Sequence, residues 1–367
     1  MKSKLYYLLI VFAGLCVFMA CKKMDSTYEQ YVIKGGIQYP GAAKSAVLHG
    51  GNKRAILEWL KGSDPKIVKA RIFWNNYADS VEVPITASQS VVRHTFTTLA
   101  ENFYSFTIKT YDAQGHVSVP VEVSGSVYGD NYQSRVLERP LNAAMLTKAN
   151  VLKLNWSIAD SVTGAFATDL EYTNTAGVLK TVRFKGGLLN TEIADYKLET
   201  NFRYRTLYLP DSLAIDTFYT GYLSGPKLKL DKKEWVIANF DNNHPGDENK
   251  VANIIDGNPG TRWHGLATNP TPYPHYFSVN MGAVRTITDL SLWRMNTDDR
   301  APESIKIETS LDNVTWTDQG TFAFNRLIDG EQIFTMKTLT TARYFKVTGL
   351  RGPQAYIVLG EVDVYVK

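Results

Sequence analysis

Apolar and polar residues alternate along much of the chain, with the two-residue period of a β-strand. Towards the C-terminus the alternation covers residues 276–282, 286–294, 305–310, 342–347 and 361–366. Residues 311–316 interrupt it at Asn313, a residue type that tolerates a left-handed backbone and favours a turn. No helical periodicity of useful length separates these stretches in the sequence. The pattern predicts an all-β domain over residues 229–367.

The preceding part of the chain repeats itself. Strands are predicted near residues 54–60, 67–75, 103–111 and 117–124, bounded by Gly, Asp and Asn turns. Trp59 recurs at Trp156, Asn75 at Asn174 and Phe103 at Phe202, with offsets of 97, 99 and 99. A repeat of about a hundred residues is typical of β-sandwiches. We expect sandwiches at 42–127 and 128–226, joined at 127–131 and 224–226, with chance alternation as the alternative.

These modules loosely resemble immunoglobulin-like fibronectin type III sandwiches. They also look like an N-terminal region of unknown function in lipoproteins of gut Bacteroidetes. Composition agrees, because 12% of the residues are aromatic and 44% are hydrophobic, which favours strands with proper cores. The formal net charge is +4, and no block of five or more basic residues occurs. We therefore expect no nucleic-acid partner.

The N-terminus has the features of a lipoprotein signal peptide. Lys2 and Lys4 precede an apolar stretch at residues 5–20, which is shorter than the ~20 residues of a membrane span. Ala20 and Cys21 then follow the bacterial lipoprotein pattern. We expect a signal peptide at 1–20, lipidation of Cys21 and a tether at 21–41, with an uncleaved membrane anchor as the alternative. The mature protein would be anchored by lipid to the bacterial outer membrane, at the cell surface or the periplasmic face.

A search for catalytic motifs finds none of the common signatures. The sequence has no Gly-x-Ser-x-Gly elbow, no His-Glu-x-x-His and no phosphate-binding or dinucleotide-binding glycine loop. The six histidines do not fall at metal-ligand spacing. We therefore expect a binding protein and not an enzyme.

Residues 256–261 concentrate oxygen donors in one tight turn. Asp256 offers a carboxylate, Asn258 a carbonyl, and Thr261 a hydroxyl and a carbonyl, while Gly257 and Pro259 fold the chain back around them. Calcium prefers six to eight such oxygens. A carboxylate on the distant last strand, Glu361, could close the ring. The turn predicts a structural Ca²⁺ site, and an ordinary Asp-Gly-Asn-Pro turn is the alternative.

Five pieces of the C-terminal region resemble the discoidin, or coagulation factor V/VIII type C, family. They are IDGNPGTRW at 255–263, VNMG at 279–282, SLDNVTW at 310–316, ARYF at 342–345 and EVDVY at 361–365. The resemblance implies an eight-stranded jelly roll and, in its bacterial carbohydrate-binding branch, one calcium ion. The implied metal ligands are Asn253 through its carbonyl, Asp256, Asn258, Thr261 and Glu361. Asn280-Met281 and Asn313 depart from the usual Asp-Leu and Gly of the family.

The resemblance also implies a glycan site on the loops near the calcium, for a galactose-type or amino sugar. By family position its residues are Asp247 or Glu248, His264, Arg294, Asn296 and Tyr356. Each has an alternative interpretation. His264 and Asn296 could be ordinary loop residues, Arg294 could pair with Asp298 or Asp299, and Tyr356 could be a packing aromatic. Trp263 is expected in the core beneath the site.

The sequence thus predicts a non-catalytic glycan-binding protein that could serve polysaccharide capture and uptake. Some family members bind phospholipid or protein through hydrophobic spikes on the same loops. Residues 265–267 and 271–274 resemble such spikes but lack a long apolar tip. A surface adhesion protein with a protein or lipid partner is therefore the rival interpretation.

Overall fold

The computed structural model of the protein describes residues 28–33 and 35–367 and divides into two compact units, Met1–Asp130 and Asn131–Lys367. The predicted signal peptide and the lipidation site Cys21 lie outside the described residues. Within the described part of the predicted tether, Glu29–Tyr31 forms a single turn of 3-10 helix. No helix among the described residues has the length and apolar character needed to cross a membrane. The all-β fold class predicted from the sequence is confirmed.

Unit 1 is a sandwich of two antiparallel sheets. Its strands are β1 (Lys44–Gly50), β2 (Ala55–Leu60), β3 (Ile67–Trp74), β4 (Asp79–Pro84), β5 (Val91–Phe96), β6 (Asn102–Asp112) and β7 (Val121–Val127). One sheet has the order β1-β2-β5 and the other β4-β3-β6-β7. Trp59, Ile72, Phe106 and Ile108 are fully buried between them. Alternate residues of the central strands therefore face the core, as the sequence pattern predicted.

A short helix that begins at the last residue of unit 1 leads into unit 2 and its second sandwich. The helix α1 is Asp130–Gln133, and the strands are β8 (Leu141–Leu146), β9 (Leu152–Trp156), β10 (Ala165–Thr173), β11 (Leu179–Lys185), β12 (Asn190–Ile193), β13 (Phe202–Tyr208), β14 (Phe218–Tyr219) and β15 (Leu223–Ser224). β9 pairs with β8 and β12, and β10 pairs with β11 and β13. Unit 1 has the same pairing around β2 and β3. Trp156 is buried on β9 as Trp59 is on β2, so the shared Trp marks equivalent positions of one fold.

The rest of unit 2 is a larger β-structure. Its strands are β16 (Leu228–Leu230), β17 (Val236–Phe240), β18 (Trp263–His264), β19 (His275–Trp293), β20 (Ser304–Ser310), β21 (Thr317–Ala323), β22 (Gln332–Arg351), β23 (Val358–Leu359) and β24 (Glu361–Val366). Two 3-10 helices, Asp247–Asn249 and Val251–Ile255, precede β18. The stretches predicted as separate strands at 276–282 and 286–294 form one bent strand, β19. It is irregular between Asn280 and Arg285, where Gly282 has a φ of 80°. Asn313 has a φ of 64°, as expected for a left-handed turn.

One sheet of unit 2 runs through both parts. Its order is β12-β9-β8-β16-β24-β19-β22-β20-β21. β16 joins the two parts, because it pairs in parallel with β8 through Lys229 and Leu230 and antiparallel with β24. One continuous hydrophobic core includes Trp156 and Tyr204 from the sandwich and Trp263, Phe277 and Phe345 from the C-terminal part. The C-terminal part is thus a continuation of the preceding sandwich in sheet and core.

Candidate functional site

His264 and Tyr356 meet at one edge of the C-terminal part of unit 2. β18 ends at His264 and pairs with β23, which follows the loop carrying Tyr356. The His264 and Tyr356 rings are stacked, with centroids 4.8 Å apart and an interplanar angle of 20°. The His264 ring also contacts the ring of His244, and the two ring centroids are 5.1 Å apart. The structure therefore brings together two side chains that the sequence separates by 92 positions.

Arg300 completes this group. Its Nη1 donates to His264 Nε2 at 3.1 Å, and its guanidinium carbon lies 5.9 Å from the Tyr356 ring centroid. Asp298 accepts from Arg300 Nε at 2.9 Å and from Nη2 at 2.5 Å. We call His244, His264, Asp298, Arg300 and Tyr356 the edge cluster. It combines an aromatic surface with a guanidinium group that is fixed in orientation, the two features with which proteins hold a sugar ring and its hydroxyls.

His264 is neutral in this arrangement. Its Nδ1 lies 2.6 Å from the carbonyl oxygen of Gly265, which can only accept, so Nδ1 carries the hydrogen and Nε2 accepts from Arg300. Burial lowers the pKa of His264, and the charges of Arg300 and Arg262 lower it further. Because His264 is only 5% exposed, a ligand at this edge would meet Arg300 and Tyr356 first, with His264 as the floor.

The loop before β18 holds the edge from below. The indole Nε1 of Trp263 donates to the carbonyl of Asn242 at 2.9 Å, and Asn242 Oδ1 accepts from the backbone N–H of Leu266 at 2.6 Å. Trp263 is fully buried and packs edge-on against Phe277, as expected for a core residue. These contacts fix β18 and therefore the position of His264.

Arg294 and Asn296 lie outside the edge cluster. Arg294 is nearly buried, and its Nε donates to Asp329 at 2.7 Å while Nη1 donates to the carbonyl of Arg326 at 3.0 Å. Its partner is therefore Asp329 and not Asp298 or Asp299, the two alternatives raised from the sequence. Asn296 is exposed, and its backbone N–H lies 3.4 Å from the carbonyl of Pro259 in the predicted metal turn.

Asp247 and Glu248 are exposed on the 3-10 helix Asp247–Asn249. Asp247 pairs with Lys250 at 2.5 Å, and Glu248 accepts from the side chain of Asn249 at 2.9 Å. Within the part of the chain that the structure describes, no hydrogen bond or ion pair joins either carboxylate to His264 or Arg300. In the structure, the acidic member of the edge cluster is Asp298.

Sequence reasoning missed His244, Asp298 and Arg300. The loop between β19 and β20 has two arginines, and the family position selected Arg294. The loop after β19 turns at Thr297, where φ is 65°, and this turn carries Arg300 to His264. The Asp298-x-Arg300 spacing, which suits a local bidentate pair, was the available signal in the sequence.

The predicted metal turn gathers its oxygens around one hydroxyl. Thr261 Oγ1 lies 2.8 Å from Asp256 Oδ2, 2.6 Å from the Asn258 carbonyl and 3.4 Å from the Asn253 carbonyl. A hydroxyl has one proton and can satisfy one of these three acceptors. The amide oxygen of Asn258 instead accepts from the N–H of Gly260, and its backbone carbonyl accepts from the N–H of Thr261 at 3.0 Å. The crowding of oxygens around one hydroxyl proton fits a hard cation.

Glu361 has one buried carboxylate oxygen that is available to a cation. Its Oε1 accepts from Lys232 Nζ at 2.7 Å, whereas its Oε2 is buried without a hydrogen-bond partner. Burial raises the pKa of Glu361 to about 7, against the opposing effect of Lys232. Asp256 and Glu361 line the same cavity of about 680 Å³. Gly360 fixes this position, because a Cβ there would lie 2.7 Å from the carbonyl oxygen of Arg294.

The donor set is mixed. Among the described residues no group of three or more His, Cys, Asp or Glu side chains is arranged to hold a metal. The predicted set contains two carboxylates, two carbonyls and a hydroxyl, which is a combination that suits calcium and not a transition metal.

Comparison with known families decides the classification of the chain. The profile of the DUF4998 family, described as a domain of unknown function, matches residues 21–218, or 198 of the 367 residues. The chain belongs to the DUF4998 family. The DUF4998 region covers unit 1 from residue 21 onwards and most of the second sandwich. A second profile, the F5/8 type C domain, matches residues 237–361, which confirms the discoidin resemblance.

Part of this DUF4998 protein is similar to part of a curated enzyme. A sialidase of Micromonospora viridifaciens is 34% identical over 91 residues, which are 24% of this chain and 14% of the sialidase. The chain therefore spans about a seventh of that relative's length.

Solved structures similar to this DUF4998 protein include three carbohydrate-associated domains. The C-terminal domain of a chitobiase from Bacteroides fragilis is 26% identical and aligns over 38% of this chain and 99% of its own length, with a TM-score of 0.35. A family 32 carbohydrate-binding module of NanJ from Clostridium perfringens, in complex with galactose, is 18% identical over 37% and 97%, with a TM-score of 0.34. A further Clostridium perfringens module, in complex with GalNAc-β-1,3-galactose, is 16% identical over 38% and 99%, with a TM-score of 0.36.

Proposed function

We propose that this protein is a non-catalytic glycan-binding protein whose F5/8 type C domain holds a galactose-type or amino sugar at the edge cluster. The observation that carries the proposal is the stacked Tyr356–His264 pair with Arg300 fixed beside it. The aromatic surface would pack on the C–H face of the sugar, and Arg300 would donate to its hydroxyls. The chain itself would perform no reaction, and its glycan capture could supply polysaccharide uptake.

The edge cluster is tested by comparing substitutions inside the cluster with substitutions outside it in the same domain. Arg300→Met and Tyr356→Ala in the full chain should weaken binding to galactose-type or amino sugars on a glycan array by about tenfold or more, or 1.4 kcal/mol. Arg294→Met, which removes a guanidinium outside the cluster, should leave binding unchanged. Arg351→Met is the exposed control. Absence of binding to every glycan, or loss with Arg294→Met alone, would contradict this site, and bound oligosaccharides should be recovered uncleaved.

We further propose that calcium stabilises the metal turn. Asn253 and Asn258 would contribute carbonyls, Asp256 and Glu361 carboxylates, and Thr261 its hydroxyl. When bound, the ion supplies a fixed positive charge that ties the turn to β24. Binding to the folded state alone stabilises it by about 2.7 kcal/mol at a hundredfold excess over Kd. Chelation should therefore lower the melting temperature, and Asp256→Asn should abolish this response, whereas the exposed Asp299→Asn should preserve it.

The ion-free protein should show an unusual pH dependence at Glu361. Its folded pKa of about 7 lies above the ordinary value of 4.5, so the folded state binds this proton more tightly than the unfolded state. The associated stability is full below about pH 4.5 and is lost as the pH rises through 7. With chelator present, Glu361→Gln should therefore raise the melting temperature at pH 8 and not at pH 4. An equal effect at both pH values would contradict this assignment.

We also propose that lipidation of Cys21 anchors the protein to the bacterial outer membrane, at its surface or its periplasmic face. The support is the sequence pattern at residues 2–21. Cys21→Ser should move the protein from the membrane fraction to the soluble fraction and abolish incorporation of labelled fatty acid. The Cys16→Ser variant is the matched control and should stay in the membrane fraction.

A further inference from the structure

We propose that unit 1 carries a second binding site, for sugars that bear a carboxylate or sulfate group, on the outward face of its sheet β4-β3-β6-β7. The site consists of Arg71, Phe73, Tyr77 and Lys109. Arg71 and Phe73 are alternate residues of β3, and Ile72 between them and Ala70 before them are fully buried. The side chains of Arg71 and Phe73 therefore leave the sheet on the side away from the core. We call these four residues, together with the neighbouring Lys69, the basic face.

Two like charges face each other in this sheet. Arg71 of β3 is directly opposite Lys109 of β6 in the strand register. Among the residues that the structure describes, no carboxylate lies within ion-pair distance of either side chain. Arg71 donates instead to the hydroxyl of Ser80, from Nε at 3.1 Å and from Nη2 at 2.9 Å. Like charges directly opposite destabilise a strand pair, so an anion placed between them would stabilise it.

Aromatic rings extend the same surface. The guanidinium carbon of Arg71 and the Nζ of Lys109 lie 5.3 Å and 5.4 Å from the Phe73 ring centroid. Lys109 Nζ also lies 5.0 Å from the Tyr77 ring, whose centroid is 4.9 Å from that of Phe73. Tyr77 is 52% exposed. The two cations are thus held on a pair of rings that also present a surface to a ligand.

The turn that presents Tyr77 is conformationally costly. Asn75, Asn76 and Tyr77 are consecutive residues with φ angles of 50°, 53° and 66°, in the left-handed region. Asparagine tolerates this region, whereas a tyrosine there is a genuine exception. Such backbone outliers tend to be retained at ligand-binding positions. The turn orients the Tyr77 ring over Phe73 and Lys109.

The charge distribution selects a ligand with an isolated anionic group. Glu82 lies opposite Arg71 in the β3–β4 register but pairs with Lys69 at 3.0 Å, and Glu122 lies opposite Thr107 in the β6–β7 register. These carboxylates would repel the continuous phosphates of a nucleic acid, which needs a row of cations. One carboxylate or sulfate fits between Arg71 and Lys109, while the C–H face of its sugar packs on Tyr77 and Phe73. An acidic sugar supplies both groups in one ring.

Affinity measurements with the full chain test this site. The probes are heparin for sulfate, polygalacturonate for carboxylate, dextran as a neutral control and single-stranded DNA as a polyanion. Lys109→Gln and Tyr77→Gly should each weaken binding to heparin or polygalacturonate at least tenfold. The glycine removes the ring and suits the left-handed backbone. Lys337→Gln, which removes an exposed lysine of unit 2 outside both sites, should leave this binding unchanged.

Several results would overturn the proposal. The proposal is wrong if neither acidic polysaccharide binds more tightly than dextran. It is also wrong if Lys337→Gln weakens binding as much as Lys109→Gln does, because that result indicates unspecific charge attraction. Tighter binding of DNA than of both polysaccharides would indicate a nucleic-acid surface. Because Tyr77→Gly and Lys109→Gln alter different features of the same site, a folding defect in one leaves the other as the test, and circular dichroism identifies it.

Discussion

The two N-terminal sandwiches present equivalent sheet faces with opposite charge arrangements. In unit 1, Arg71 on the central strand β3 faces Lys109 on β6. In unit 2, the equivalent central strand β10 carries Asp169 and Glu171, which face Arg205 and Arg203 on β13. We call Asp169, Glu171, Arg183, Arg203 and Arg205 the paired face. Both faces carry cations over aromatic rings, but in the paired face each cation also has a carboxylate partner.

The paired face is consistent with a purely structural role. Asp169 is almost fully buried and accepts from Arg183 Nε at 2.7 Å and from Arg205 Nη2 at 3.3 Å. Arg205 lies 4.5 Å from the Tyr219 ring, and Arg203 lies 4.4 Å from the Tyr222 ring. The same fold can therefore satisfy its arginines internally. Among the described residues of unit 1, Arg71 and Lys109 have no carboxylate at ion-pair distance, and this difference suggests that these two cations are kept for a ligand.

The largest expected effect comes from breaking the paired face. Asp169→Asn leaves Arg183 and Arg205 without their carboxylate and should lower the stability of unit 2 by about 2 to 3 kcal/mol. Glu82→Gln in unit 1 removes an exposed partner of Lys69 and should change stability by less than about 1 kcal/mol. Hydrogen exchange read separately in β10 and β3 measures both. Equal losses of stability in the two units would contradict the proposed difference between the two sheet faces.

Lowering the pH should also destabilise unit 2, through protonation of Asp169. Burial raises the pKa of Asp169, but its hydrogen bonds to Arg183 and Arg205 outweigh burial and lower it overall. The stability from this group is therefore present above the ordinary carboxyl pKa and is lost as the pH falls through the folded pKa. A folded pKa that is lower by one than the unfolded pKa corresponds to about 1.4 kcal/mol of stability. Protection factors for hydrogen exchange in β10 should fall as the pH drops below the ordinary carboxyl value of 3.8, and Asp169→Asn should flatten this dependence.

Unit 1 can be converted to the arrangement of unit 2. Lys109→Glu places a carboxylate opposite Arg71 and should stabilise unit 1 by about 0.2 to 1 kcal/mol, because it replaces a repulsive cross-strand pair with an attractive one. The same substitution should abolish binding of acidic sugars. Lys109→Gln should give a smaller gain in stability. Destabilisation by both variants would show that Lys109 contributes to the fold through its contacts with Phe73 and Tyr77.

Salt should produce the smallest effect. Raising the salt concentration from 0.01 M to 1 M shortens the Debye length from about 30 Å to 3 Å. Screening should stabilise unit 1 by a few tenths of a kcal/mol by weakening the repulsion between Arg71 and Lys109, and should weaken the exposed part of the paired face. Opposite changes in hydrogen exchange in β3 and β10 are expected. Parallel changes would mean that the cross-strand charges do not control the difference.

Strands that face a core on one side were predictable from the sequence, and polar edge strands were not. The predicted strand near 54–60 became β2, and that at 67–75 became β3, because alternate residues of each are buried. β4 and β21 each have little burial and no clear alternation, so the sequence pattern did not indicate them. The bend in β19 also escaped prediction, because it depends on one glycine within an otherwise continuous strand.

The candidate sites also differ in how far the sequence alone could predict them. Asp256, Asn258 and Thr261 lie within six residues, so local turn chemistry was enough to group them. His264 and Tyr356 required the family resemblance, because their contact depends on the pairing of β18 with β23. Arg300 depends on the path of a loop through Thr297, and no local pattern specifies that path. The basic face requires the strand register of β3 and β6, which alternation alone does not define.

The parallel strand β16 limits how portable the F5/8 type C domain is. The matched stretch is 237–361, yet β16 lies before it and β24 extends beyond it to Val366. A graft cut at the matched boundaries would lose Lys232, which pairs with Glu361, and would lose Lys229 together with its partner Asp363. It would also lose β24 except for Glu361 and would open the β19 edge to pairing with other chains. Recombination that moves this domain intact must therefore carry the β16 segment with it, so the gene segment that is exchanged is longer than the family boundaries.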